Sequence, residues 1–209
     1  MALVIAVAQQ KGGSGKTTLA ANLAALLAEK CRVAVLDIDP QRSLSRWHGL
    51  RAARAGSVAA VHGSDVSGWR LANELERLGR EHDAVVVDSP PQIDTDARRA
   101  VRAADLVLVP VQPSAPDLWA AEGTLKLAAE ERRRSCLVLN RVPATGRARE
   151  AARAEIHARG FALLRAALGN RAAFSQAFAE GLGVTEAAPR SAAAAEMRAL
   201  LAAVEEAAS

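Results

Sequence analysis

Apolar residues gather into short continuous runs, Leu3 to Ala8, Val33 to Leu36, Ala84 to Val87, Leu106 to Val111 and Leu137 to Leu139. A strand with one wet face alternates apolar and polar positions, so unbroken runs of this length predict strands covered on both faces. Between the runs the period becomes helical. Leu19, Leu23, Leu26 and Leu27 share one face after the first run, and Leu71, Leu75 and Leu78 do so before the third. A last helix is predicted with Ser191 as its cap and Met197, Leu200, Leu201 and Val204 as its apolar stripe. Strand and helix alternating with crossovers of this length predict an α/β fold, a mostly parallel, doubly wound sheet flanked by helices. No repeat, low-complexity tract or long linker divides residues 1–209, so a single domain is expected.

Composition sharpens this reading. Aromatic residues make up 3% of the 209 and tyrosine is absent, so the core must be built from Leu, Val, Ile and Ala. The tryptophans Trp47, Trp69 and Trp119 lie in separate segments, form no stacking series for single-stranded nucleic acid, and are expected to serve packing. Cys31 and Cys136, far apart and outside any Cys-Xaa-Xaa-Cys pair, argue against a disulfide framework, a zinc site or a bridging cluster. His48, His62, His82 and His157 lack metal-ligand spacing. With no cationic leader and no apolar stretch near the roughly 20 residues of a bilayer span, the expected location is the cytoplasm.

The formal net charge is +4, and its distribution says more than its sum. From Lys126 to Arg171 there are 11 basic residues against four acidic ones. Such a segment can present a face to a polyanion, with salt-sensitive and sequence-independent binding. Charge alone leaves a solvated arginine-rich surface equally open.

The chemistry concentrates in Lys11-Gly12-Gly13-Ser14-Gly15-Lys16-Thr17-Thr18, directly after the first apolar run. Strand, glycine loop and helix in that order make a triphosphate cradle: glycines let successive amides approach phosphate oxygens, and the helix N-terminus adds its positive end. Lys16 would neutralise the β- and γ-phosphates, and the Thr17 hydroxyl would reach a magnesium ion. In the usual P-loop register the first glycine position holds Gln10, and a second lysine, Lys11, opens the loop. Two further carboxylate motifs end apolar runs, Asp37-Ile38-Asp39-Pro40-Gln41 and Asp88-Ser89-Pro90-Pro91. Carboxyl ends of parallel strands are where ligands bind in such sheets, and residues two apart on an extended segment share a side. Phosphoryl transfer to water needs a phosphate cradle, a cation and a group that orients water, and these motifs supply candidates for each.

Lys-Gly-Gly-Xaa-Gly-Lys-Thr is the deviant phosphate loop of the ParA/MinD family of ATPases, which this chain resembles over nearly its whole length. The resemblance implies ATP and ADP as ligands with Mg2+, and a P-loop NTPase fold. It implies that Lys11, Lys16 and Asp39 are catalytic, Lys11 by reaching across a face-to-face homodimer to the other subunit's phosphates and Asp39 by orienting the attacking water. Asp37 would contact the magnesium shell, Asp88 would be the Walker B aspartate holding magnesium with Thr17, and Pro90-Pro91 would stiffen the second switch. Asn140, after Leu137-Val138-Leu139, corresponds to the family's adenine reader. Pro113 and Asp117, within Pro110 to Asp117, resemble the stretch that lines nucleotide and dimer interface in small plasmid-partition members.

The chain is most similar to the short ParA type without an amino-terminal helix-turn-helix domain. That likeness implies an ATP-dependent dimer that binds nonspecific DNA, is associated with the nucleoid, drives plasmid or chromosome partition, and is triggered to hydrolyse by a centromere-binding ParB/ParG-like partner. Arg141, Arg147, Arg149, Arg153 and Arg171 are the candidate DNA contacts. A positioning ATPase for a protein cargo, a chemoreceptor cluster or a microcompartment, has the same sequence logic and stays open. Membrane attachment is not expected, because Glu196, Glu205 and Glu206 face a single Arg198 in the last segment.

Overall fold

The computed structural model describes residues 2–66, 68–92, 94–144 and 146–209. Seven strands form one sheet: β1 (Leu3–Val7), β2 (Val33–Asp37), β3 (Val61–Ser64), β4 (Ala84–Asp88), β5 (Leu106–Val111), β6 (Arg134–Val142) and β7 (Leu163–Gly169). Their order is β3-β2-β4-β1-β5-β6-β7, and every pairing is parallel. The helices are α1 (Lys16–Ala28), α2 (Ser43–Ala52), α3 (Leu71–Glu81), α4 (Thr95–Ala103), α5 (Ala115–Glu130), α6 (Arg147–Ala158), α7 (Ala172–Ala179), α8 (Val184–Ala187) and α9 (Ala192–Ala208). The expected doubly wound α/β sheet is what forms.

Strand geometry explains the continuous apolar runs. Successive side chains point to opposite faces, so Ile5, Val7, Val33, Val35, Val86 and Leu108 enter one core while Ala6, Leu36, Val85, Val87, Val107 and Val109 enter another. The first core is closed by α1, α2, α7 and α9, the second by α3, α4, α5 and α6. Helix α1 departs from the expected amphipathic pattern. Ala20, Ala21, Ala24 and Ala25 are buried along with the leucines, because α2, α7, α8 and α9 wrap its far side. Ser191 caps α9 as predicted, its hydroxyl accepting from Ala194 N at 3.1 Å, and the stripe Met197, Leu200, Leu201 and Val204 is buried.

Two strands escaped the hydrophobic pattern, β3 (Val-His-Gly-Ser) and β7 (Leu-Leu-Arg-Ala-Ala-Leu-Gly). Both are edge strands, where one side of the ladder is open and apolar density can fall. The run at Ala84 to Val87 is therefore the fourth strand of the chain, although it stands third among the apolar runs. The tryptophan expectation holds for one residue of three. Trp47 is fully buried, donates Nε1 to Leu182 O at 3.2 Å and lies under the Arg51 guanidinium. Trp69 and Trp119 are 79% and 60% exposed.

Central strand β1 pairs with β4 on one side and β5 on the other. Strand order reverses around it, and the crevice beyond the carboxyl ends of strands at such a point is the binding place of open α/β sheets. The sequence puts Lys11 to Thr18 there.

Candidate nucleotide site

The carboxyl edge of the sheet gathers the loop after β1, Asp37 and Asp39 after β2, Asp88 ending β4, and Asn140 and Arg141 on β6. Gly15 caps α1 with φ +92, and a Cβ there would run into the Asn140 amide, so glycine is required twice over, by backbone and by space. A phosphate cleft of about 160 Å³ is lined by Gly12, Gly13, Gly15, Lys16, Thr17, Thr18, Asp39, Gln41, Ser43, Pro91 and Arg141. Beside it a cavity of about 380 Å³, large enough for a base and sugar, is bounded by Thr18, Asn22, Asn140, Asn170, Arg171 and Phe174 among others.

Electrostatics fit a polyanion with a cation. Burial lowers the Lys16 pKa, and Asp88 and Asp39 work against that shift. Asp88 is fully buried and neither of its carboxylate oxygens has a hydrogen-bond partner. Burial pushes its pKa up to about 8; the carboxylates of Asp37 and Asp39 add to the rise, while the neighbouring Thr17 hydroxyl and Lys16 oppose it. An orphaned buried carboxylate beside a hydroxyl is a donor set that a hard divalent cation satisfies, so Asp88 and Thr17 fit Mg2+. Both carboxylate oxygens of Asp37 accept hydrogen bonds, Oδ1 from Asp39 N at 3.1 Å and Oδ2 from Ser45 N and Ser45 Oγ at 2.7 and 2.9 Å. It ties the Asp39 segment to the first turn of α2. Asp39 lines the cleft, with Oδ1 accepting from Gln41 N at 2.9 Å.

Lys11 does not line the phosphate cleft of its own chain. Its Nζ lies 2.5 Å from Asp117 Oδ2, with side-chain exposures of 38% and 2%. Burial works to raise the Asp117 pKa, but hydrogen bonds from Lys11, Ser114 and Gln112 N outweigh it and hold the carboxyl below its ordinary range. Asp117, expected as a nucleotide residue, is thus the counter-ion of Lys11, and neither it nor Pro113 borders the two cavities. Both sit at the start of α5, which carries the Ser114 cap and Pro116, and this segment packs against the loop through Asp117 and through Gln112, whose Nε2 donates to Gly13 O at 3.3 Å. Asn140 borders the base-sized cavity. Its Nδ2 donates to Ser14 O at 2.8 Å, and its Oδ1 accepts from Arg141 N at 2.9 Å.

The basic stretch does not form one face. Arg134 opens β6 and Val142 closes it, nine residues that span roughly 26 Å at about 3.3 Å per residue, so Arg132 and Arg133 stand at the opposite edge from Arg141. Arg159, Arg165 and Arg171 are ion-paired with Glu122 and Glu155, with Glu206, and with Glu196 respectively. Of the five candidate DNA contacts, Arg141 and Arg171 line the nucleotide cavities, and Arg147, Arg149 and Arg153 lie on α6. Sequence reasoning gave Asn170 and Phe174 no role at the site; only the return of the chain after β7 brings them to Thr18.

A phosphate loop on the central strand of a doubly wound sheet, with a buried carboxylate on the adjacent strand, defines a P-loop nucleotide-binding protein. Residues 5–184 match the family described as CobQ/CobB/MinD/ParA nucleotide binding domain, and the chain belongs to this family. It is 32% identical over 205 residues to maintenance of carboxysome distribution protein A of Halothiobacillus neapolitanus, covering 93% of this chain and 92% of that protein. It is 34% identical over 151 residues to the chromosome-partitioning ATPase Soj of Thermus thermophilus, covering 60% and 59%. The fold superimposes on Aquifex aeolicus MinD with a TM-score of 0.82 at 20% identity, covering 98% of each chain. A Cyanothece McdA without nucleotide gives 0.80 at 20% identity, covering 100% of each. Among the described residues no helix is long and apolar enough to cross a membrane.

Proposed function

We propose that the chain is an ATP hydrolase whose triphosphate state closes a homodimer and whose hydrolysis opens it, so that binding to a track and a cargo is timed by the nucleotide. The observation that carries this reading is the second lysine of the loop, which does not line the phosphate cleft of its own chain and is ion-paired with Asp117. Lys16 and the loop amides hold the phosphates, Asp88 and Thr17 hold the magnesium, Asp39 orients water, and Lys11 completes the partner's site. Bound magnesium would offset charge on the phosphate oxygens.

For cargo, the near full-length similarity to a carboxysome distribution protein favours a protein assembly. Plasmid or chromosome partition with a ParB/ParG-like partner is the second reading, supported by 37% identity over 131 residues to ParA of Rhizobium radiobacter. In both, nonspecific nucleoid DNA is the track, and Arg147, Arg149 and Arg153, which make no ion pair among the described residues, offer a surface for it.

Phosphate release and light scattering with ATP, ADP and a nonhydrolysable ATP, each with and without DNA, test the scheme. Expected are scattering and DNA retention with the triphosphate only, loss of both in Lys11→Ala, and retention without turnover in Asp39→Ala. Retention by the ADP form alone would overturn it.

A further inference from the structure

The phosphate cleft and the base-sized cavity have three residues in common, Gly15, Thr18 and Arg141, and of these only Arg141 carries a charge. A nucleotide with its terminal phosphates in one and its base in the other must pass this neck. Arg141 has φ +50, a left-handed conformation that residues with a Cβ avoid, yet it is held there at the end of β6. Asn140 fixes it from both sides, accepting from Arg141 N and donating to Ser14 O in the loop. From this backbone the guanidinium lies across the loop, and its Nη1 donates to Gly13 O at 3.0 Å.

That carbonyl is a neutral partner for a group with five donors, and Arg141 makes no ion pair among the described residues. Arg171, on the same cavity, is locked to Glu196 at 2.6 Å. The neck therefore holds one uncommitted cation. Lys16 and the loop amides serve the terminal phosphates, and the anionic group left for the neck is the one that joins phosphates to sugar. A guanidinium fork matches two phosphate oxygens.

We infer that Arg141 binds the α-phosphate of the nucleotide at the neck between the two cavities. The inference rests on the nucleotide reading above, and adds a positioning cation that neither the phosphate loop nor the aspartates provide. The α-phosphate is common to ATP and ADP, so the loss of this contact falls equally on both nucleotides and spares inorganic pyrophosphate, whose two phosphates the loop and Lys16 hold without it.

Titration calorimetry with a nonhydrolysable ATP, ADP and inorganic pyrophosphate, on the parent, Arg141→Ala, Arg141→Gly and Lys16→Ala, tests it. Expected for both Arg141 variants is a loss of roughly ten- to a hundredfold for ATP analogue and ADP alike, with pyrophosphate nearly unchanged. Arg141→Gly suits the left-handed backbone, so a glycine variant that binds like the parent while the alanine variant does not assigns the effect to strain and overturns the inference. Parent affinities in both variants, or a loss confined to DNA retention, also overturn it. If Lys16→Ala binds both nucleotides like the parent, the nucleotide reading itself falls; loss there with no effect at Arg141 sinks the present inference alone.

Discussion

Replacing Asp117 with asparagine separates the charge that holds Lys11 from the shape that supports the Ser114 cap of α5. Asparagine is the same size, and its side-chain oxygen can still accept from Gln112 N or the Ser114 hydroxyl, but the anion facing Lys11 is gone. Its acceptor is 2% exposed, and a hydrogen bond to a charged group in such a place contributes about 1.5–3 kcal/mol. Lys11 is 38% exposed, and solvent screening reduces this to about 1–2 kcal/mol. The free chain should lose that much stability in urea. If an ATP-bound dimer takes the Lys11 ammonium to the other subunit's phosphates, forming it in the parent means breaking the pair first. The variant is spared that step in both protomers, about 2–4 kcal/mol per dimer, so its ATP-dependent dimerisation constant should rise roughly 30- to 900-fold. Sedimentation across a concentration series with nonhydrolysable ATP measures the second quantity and urea midpoints the first. The pH sense is fixed as well: Asp117 is held below its ordinary 3.8, so the pair's contribution is intact above that value and is lost as pH falls through the lower folded one. An Asp117→Asn chain that dimerises no better than the parent, together with a Lys11→Ala chain that dimerises as well, would refute the competition.

Asp88 predicts the opposite pH slope. With its folded pKa near 8 against an ordinary 3.8, the native chain keeps a proton that the unfolded chain gives up, so stability without magnesium should fall as pH rises from about 4 to about 8. In Asp88→Asn this slope should largely vanish in urea titrations, and a parent that is equally stable at both ends contradicts the assignment. Gly15→Ala meets both a φ of +92 and the Asn140 amide, and should cost more than about 1 kcal/mol while abolishing nucleotide binding; calorimetric affinity within twofold of the parent would refute that. Ser191→Ala removes the cap of α9 and should cost about 1 kcal/mol by thermal unfolding with turnover unaffected, so a change in turnover would tie α9 to the site.

Strands covered on both faces were legible because burial on two sides leaves no polar position to interrupt the run. The same logic hid β3 and β7, whose open edges relax that demand. The phosphate loop was legible for a stronger reason: its geometry requires glycine and lysine at fixed spacing along one continuous piece of chain, and Gly15 with φ +92 is that requirement realised. Asp37 illustrates the limit. Its place at a strand end on the binding edge was readable, but its engagement with Asp39 N and Ser45 depends on how α2 leaves the strand.

By itself, then, the order of residues determined the class of fold, the cradle for a triphosphate and the carboxylates that face it, because each is encoded in local spacing and in which side chains can tolerate burial. Tertiary structure decided which charges meet. Lys11 finds Asp117 from 106 residues away, and Arg141 crosses to Gly13 from 128. Arg132 and Arg141, close in sequence, are parted by the length of a strand. Coulombic and hydrogen-bonded partnerships depend on distances of a few ångströms between segments remote in sequence, and those distances exist only once the sheet has been assembled.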